Sequence, residues 1–179
     1  MSNLYHIAPQ AKAAQKIVEA SGYDMQCFFG NSGAEANEGA IKIARKFGER
    51  DGEVKRYKII TLQHSFHGRT ITTVKATGQE SMHNYFGPFP DGFVYADTMG
   101  DVEGLLDDHT CAVMIALVQG EGGVPPQNKE EVQALEKLLK SKIILPKVYW
   151  SGIGMLVWDL LKTDRIRAMS SGTPKGLVT

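Results

Sequence analysis

The sequence predicts an α/β sandwich whose sheet is mostly parallel and carries helices on both faces. Three observations make that prediction. Strand-like and helix-like patterns alternate along the 179 residues; a strand, a glycine loop and a helix follow one another between Cys27 and Gly48; and a nearly continuous apolar run extends from Cys111 to Val118. A run without polar alternation is what a central strand buried on both faces requires.

Taken in order, Pro9 leads and Gly22 stops a first helix, with Ala13, Ala14, Ile17 and Val18 on one apolar face. Cys27-Phe28-Phe29 reads as a short strand. The loop Gly30-Asn31-Ser32-Gly33 then opens a helix in which Ala40, Ile41, Ala44 and Phe47 fall at helical spacing, ending near Gly48. Tyr57 to Leu62 reads as a strand and Phe93 to Tyr95 as a short one. Between them, Gln79 to Gly92 is rich in Gly, Pro and aromatic residues and too long for a tight turn, a kind of segment that is often functional. Asp101 to Leu106 forms a short helix and Lys129 to Lys140 a better one, capped by Asn128, with Val132, Leu135, Leu138 and Leu139 on one side.

Composition bounds the function. At 42% hydrophobic, 22% charged and 8% aromatic, the chain can bury one sizeable core, and one domain is the default. Lys plus Arg and Asp plus Glu number 20 each, which argues against nucleic acid as a partner. Cys27 and Cys111 lie far apart inside apolar runs, as expected of reduced thiols in a cytoplasmic protein. Residues Met1 to His6 lack the basic-then-apolar pattern of an export signal. The late apolar stretch Ile143 to Leu161 is broken by Pro146, Lys147 and Asp159, whereas a bilayer span needs about 20 mostly apolar residues. No membrane association is expected.

Three clusters carry candidate chemistry. Gly30-Asn31-Ser32-Gly33-Ala34-Glu35-Ala36-Asn37-Glu38 stands between strand and helix, where free backbone N–H groups bind phosphate; alone it also suits an ordinary turn with Ser32 as N-cap. His64-Ser65-Phe66-His67-Gly68-Arg69-Thr70 follows the Tyr57 to Leu62 strand and offers an aromatic face and a guanidinium to a planar, anionic ligand, as against a packed Phe and a surface Arg. His64 and His67 find no third metal ligand in that loop, so no metal site is expected. Gln119-Gly120-Glu121-Gly122-Gly123 ends the long apolar strand, where open α/β sheets place ligand crevices.

In this order the three clusters resemble class III pyridoxal-phosphate aminotransferases, and acetylornithine aminotransferases above all. The similarity runs from about the first residue to roughly Lys142. The resemblance implies an internal piece of such an enzyme, with residues 1–142 a partial large domain of fold type I and 143–179 a divergent C-terminal tail. It implies pyridoxal 5'-phosphate as cofactor, its phosphate on the amides of Gly33 and Ala34 and its ring against Phe66. Arg69 would take the substrate α-carboxylate, and Glu121 would act as a gate that pairs with a distant arginine as substrates exchange. The implied reaction moves an amino group from N-acetylornithine or ornithine to 2-oxoglutarate, giving glutamate, in a cytoplasmic homodimer of the arginine-biosynthesis type.

The chain also departs from the family. Ala116-Leu117-Val118 precedes Gln119 where the family has a carboxylate. The stretch Ile144 to Trp150 has no aspartate to keep the pyridine nitrogen protonated, and it carries Lys147 instead, so impaired transamination is expected. Lys175-Gly176-Leu177 matches the Schiff-base lysine motif only faintly, and no catalytic residue is assigned. Two other readings compete: an inactive fragment serving as an interaction module, and a serine hydrolase with Ser32 as nucleophile and His109 downstream, whose elbow motif fails at Ala34.

Overall fold

The structure is a computed structural model that describes residues 5–22, 25–50, 53–119, 126–142, 148–151 and 155–159. Helix α1, Ala8–Ser21, has Pro9 in its first turn and closes on Gly22, whose φ of 69° lets its N–H reach Glu19 O. Strand β1, Met25–Phe29, leads into helix α2, Gly33–Gly48. A small hairpin of β2, Glu49–Arg50, and β3, Glu53–Val54, follows. Then come β4, Lys58–Leu62, and helix α3, Ile71–Ala76. The chain goes on through β5, Phe93–Ala96, helix α4, Val102–Leu105, and β6, Thr110–Val113. Helix α5, Lys129–Ser141, precedes β7, Val148–Ser151, and β8, Met155–Asp159.

The central sheet has the order β5-β4-β6 and is parallel throughout, with Ile60 opposite Val94 on one side and Val113 on the other. Alternation along β4 explains why helices cover both faces. Ile59 joins Ile41 and Ala44 of α2, Ala76 of α3 and Phe93 in one apolar cluster. Ile60 and Leu62 face the other way, into a cluster with Ala96, Met99, Val102 and Leu135 and Leu139 of α5. This is the predicted α/β arrangement, with α2 and α3 on one side of the sheet and α5 on the other.

Several boundaries shift. The apolar run from Cys111 leaves the sheet after Val113: Met114 still donates to Ile60 O at 2.8 Å, but Leu117 and Val118 are exposed and Val118 bridges antiparallel to Pro126. The helix expected over Asp101 to Leu106 is a 3-10 turn, Met99–Asp101, running into α4. A second sheet was not foreseen. β1 pairs antiparallel with β8, and β8 with β7, so part of the late apolar stretch is strand. Among the described residues, no helix is long and apolar enough to cross a membrane, and no three His, Cys, Asp or Glu side chains are grouped to hold a metal.

Candidate functional site

The first half of the site is the start of α2. Ser32 is the N-cap in extended conformation, and its Oγ accepts the Glu35 N–H at 3.3 Å. The Glu35 carboxylate turns back to accept the Asn31 N–H at 2.6 Å, and the Ala36 N–H bonds Ser32 O at 3.0 Å. These bonds leave the N–H groups of Gly33 and Ala34 with no acceptor among the described residues. Two unpaired donors at the positive end of a 16-residue helix form an anion cradle.

The second half is the loop after β4. His64 takes the left-handed conformation at φ 59° and its N–H bonds Gly78 O at 2.7 Å, which turns the chain out of the strand. Phe66 is half-buried and Arg69 exposed, the guanidinium lying 6.0 Å from the Phe66 ring centroid. Arg69 makes no ion pair among the described residues, so its planar donor fork is open to a carboxylate. Thr70 then caps α3, its Oγ1 accepting the Thr73 N–H while the Thr73 side chain accepts the Thr70 N–H.

Close backbone approach joins the two halves. Gly68 sits at φ 131°, and a β-carbon there would lie 2.7 Å from Ala34 Cβ and 2.7 Å from Thr73 Oγ1. Only a glycine lets the loop rest on the second residue of α2 in this conformation. Asn37 Nδ2 donates to His67 O at 2.7 Å, and the Thr70 hydroxyl donates to Glu38 Oε1. The His67 N–H donates in turn to Thr77 Oγ1 at 3.0 Å. His67 is 5% exposed and its Nε2 has no partner among the described residues; burial pushes its pKa down to about 4, so the imidazole is neutral at physiological pH.

Gly33, Ala34, Phe66 and Arg69 thus fall on two loops in direct contact. Of the third cluster, Gln119 is described and half-buried, whereas Glu121 lies outside the described residues, as do Lys147 and Lys175. Sequence reasoning included Asn37 and Glu38 in the first cluster but gave them no role, and it missed Thr77. Asn37 carried a signal: it is a buried polar residue inside the apolar stripe Ala36, Ala40, Ile41 and Ala44. Ser32 and His109 show no hydrolase geometry. The Ser32 hydroxyl is spent on the cap, and His109 lies against Tyr57 at 5.8 Å between ring centroids, with Nδ1 3.3 Å from Lys55 O.

The sequence profile described as aminotransferase class-III matches residues 1–145. The chain belongs to the class-III aminotransferase family. Acetylornithine aminotransferase from Wolinella succinogenes is 67% identical over 145 residues, which are 80% of this chain and 37% of that protein. The enzyme of the same name from Caldanaerobacter subterraneus is 47% identical over 147 residues, with the same coverage of each. Among solved structures, a Bacillus anthracis aminotransferase superposes at TM-score 0.71 with 27% identity, covering 79% of this chain and 36% of its own. An ornithine aminotransferase from Toxoplasma gondii, reported with partial occupancy of pyridoxal phosphate, superposes at 0.65 with 34% identity, covering 75% and 33%. This aminotransferase chain therefore spans little more than a third of the length of the relatives it matches.

Proposed function

We propose that this chain is the partial cofactor-binding large domain, residues 1–142 with a divergent tail over 143–179, of a pyridoxal-phosphate-dependent transaminase of the acetylornithine/ornithine type. One observation carries the reading. Two helix-start amides, at Gly33 and Ala34, and the Arg69 guanidinium have no acceptor or ion-pair partner among the described residues, and Gly68 brings the amides against the loop that presents the guanidinium and the Phe66 face. An anion cradle beside a stacking ring and a carboxylate fork fits a phosphorylated heteroaromatic cofactor and an amino-acid substrate.

When bound, pyridoxal phosphate supplies an electron sink and carries the amino group from N-acetylornithine or ornithine to 2-oxoglutarate, which leaves as glutamate. The chain's residues bind and orient. The Gly33 and Ala34 amides hold the phosphate, Phe66 stacks on the ring, Arg69 fixes the α-carboxylate through paired hydrogen bonds, and Glu121 serves as the gate between substrates. The neutral His67 ring adds no charge beneath the loop. Without an aspartate in Ile144 to Trp150, no carboxylate from that stretch keeps the ring nitrogen protonated, so cofactor binding outlasts efficient turnover in this chain. We place the parent enzyme in the cytoplasm as a homodimer; the exposed aromatic pair Tyr85 (98%) and Phe86 (58%), a surface that a second copy would cover, supports the dimer.

The test is a titration of the chain with pyridoxal phosphate, following the visible spectrum before and after borohydride reduction and mapping any reduced adduct by peptide mass. A saturable spectral change that weakens in Phe66→Ala is expected. A linear, unsaturated response equal to that of an unrelated lysine-containing protein refutes the reading.

A further inference from the structure

The two loops of the site come from different sheets. β1, which leads into α2, is hydrogen-bonded to β8, whereas β4, which leads into the Phe66 loop, lies between β5 and β6. Strand pairing among the described residues therefore does not set where Phe66 and Arg69 stand relative to Gly33 and Ala34. The apolar contact of Ile41 and Ala44 with Ile59 holds α2 against the sheet, but apolar packing is non-directional. Direction comes from hydrogen bonds: besides the Thr70 hydroxyl on Glu38, two of them meet on the backbone of one residue, His67. His67 O accepts from Asn37 Nδ2 at 2.7 Å, and the His67 N–H donates to Thr77 Oγ1 at 3.0 Å. Asn37 is 3% exposed and Thr77 fully buried, so neither bond can be exchanged for water without cost. Thr77 Oγ1 donates onward to Thr73 O at 2.9 Å, which ties the brace to α3.

We propose that Asn37 is a positioning residue: through His67 it holds the Phe66 ring and the Arg69 fork in register with the Gly33 and Ala34 amides, four and three residues earlier on its own helix. Thr77 is its counterpart on the N–H side of the same residue, His67. The proposal rests on the cofactor-binding reading above. Neither side chain touches the ligand. Thr77 fixes the peptide that joins Phe66 to His67 and Asn37 the one that joins His67 to Gly68, so the loss of either loosens the stacking half of the site while leaving the phosphate half intact.

Two near-isosteric variants of the full chain cut the brace on either side: Asn37→Leu removes the bond to His67 O, and Thr77→Val removes both the bond from the His67 N–H and the tie to Thr73 O. Two probes separate the halves: pyridoxal phosphate, followed by its absorbance, and inorganic phosphate, followed by the amide shifts of Gly33 and Ala34 in a nitrogen-proton correlation spectrum. Both variants are expected to bind pyridoxal phosphate about tenfold more weakly, the equivalent of about 1.4 kcal/mol. Their phosphate-induced amide shifts should saturate as in the parent chain. Pyridoxal phosphate affinity unchanged in both variants overturns the proposal. So does equal loss of both ligands, including loss through failure to fold, because that marks a general structural role. A parent chain that binds inorganic phosphate at Gly33 and Ala34 but not pyridoxal phosphate sinks the underlying cofactor reading, and this proposal with it.

Discussion

Replacing Gly68 by alanine tests the junction of the two loops most directly. The new β-carbon would stand 2.7 Å from Ala34 Cβ, 2.7 Å from Thr73 Oγ1 and 3.0 Å from Ala34 Cα. Carbon atoms in contact normally sit about 3.5–4.0 Å apart, so the loop or the start of α2 must yield by about 1 Å. None of these neighbours is the end of a flexible side chain; they are a helix methyl, a helix Cα and a hydroxyl held by Thr70. Overpacking a tight site costs about 1–3 kcal/mol. A non-glycine residue held at φ 131° adds about 1–3 kcal/mol of backbone strain. The sum, about 2–6 kcal/mol, is a large fraction of the roughly 5–15 kcal/mol that stabilises a typical domain. Urea unfolding followed by circular dichroism reads it, with Gly104→Ala as the control. Gly104 lies in α4, where a β-carbon would meet nothing within 4 Å, so alanine there should be neutral or stabilising by up to about 1 kcal/mol. A Gly68→Ala chain within about 0.5 kcal/mol of the parent, a spread usual for surface substitutions, refutes the claim that glycine is required for this approach.

Ser32→Ala removes the cap of α2 and should cost about 1 kcal/mol in the same unfolding assay, while a serine-directed phosphonate should leave Ser32 of the parent chain unlabelled. Arg69→Lys keeps the charge but loses the planar fork; half-saturation of the glutamate-induced spectral change should need about tenfold more glutamate, with pyridoxal phosphate affinity unaltered. His67 stays neutral in the fold down to about pH 4, whereas its ordinary pKa is 6.5. The unfolded chain therefore takes up a proton first: the contribution to stability is complete above pH 6.5 and is lost as pH falls from 6.5 towards 4, to a total of about 3 kcal/mol. A His67 ring resonance titrating with a midpoint near 6.5 would contradict its burial.

Local chemistry was legible in the sequence wherever the relevant partner was itself local. Pro9 and Gly22 bound α1, Ser32 and Asn128 cap α2 and α5, and the apolar residues of α2 and α5 face the core as their spacing predicts. The end of β6 was not legible, because the run from Met114 to Val118 stays apolar although β6 stops at Val113, opposite Ile60, before β4 itself ends at Leu62. The pairing of β7 and β8 with β1 escaped for a related reason. Pro146, Lys147 and Asp159 interrupt the apolar pattern, and the partner strand lies more than a hundred residues away in sequence. In the site, the motif residues stood out by type and spacing. The bonds that fasten them did not: Asn37 and His67 are 30 residues apart, and no periodicity links them.

That difference bears on how the site is built. Parallel strands β4 and β6 send their following segments out at the same end of one sheet, so the Phe66 loop and the segment after Val113 start side by side by topology alone. The phosphate cradle has no such guarantee, since β1 belongs to the other sheet. Three features substitute for strand pairing: the Gly68–Ala34 backbone contact, the Asn37 bond to His67, and the Thr70 hydroxyl on Glu38. All three come from within or beside the two motifs, so the residues that shape the ligand surface and those that align its halves occupy the same short stretches. Changing one motif without its counterpart should then separate phosphate binding from ring stacking rather than abolish both.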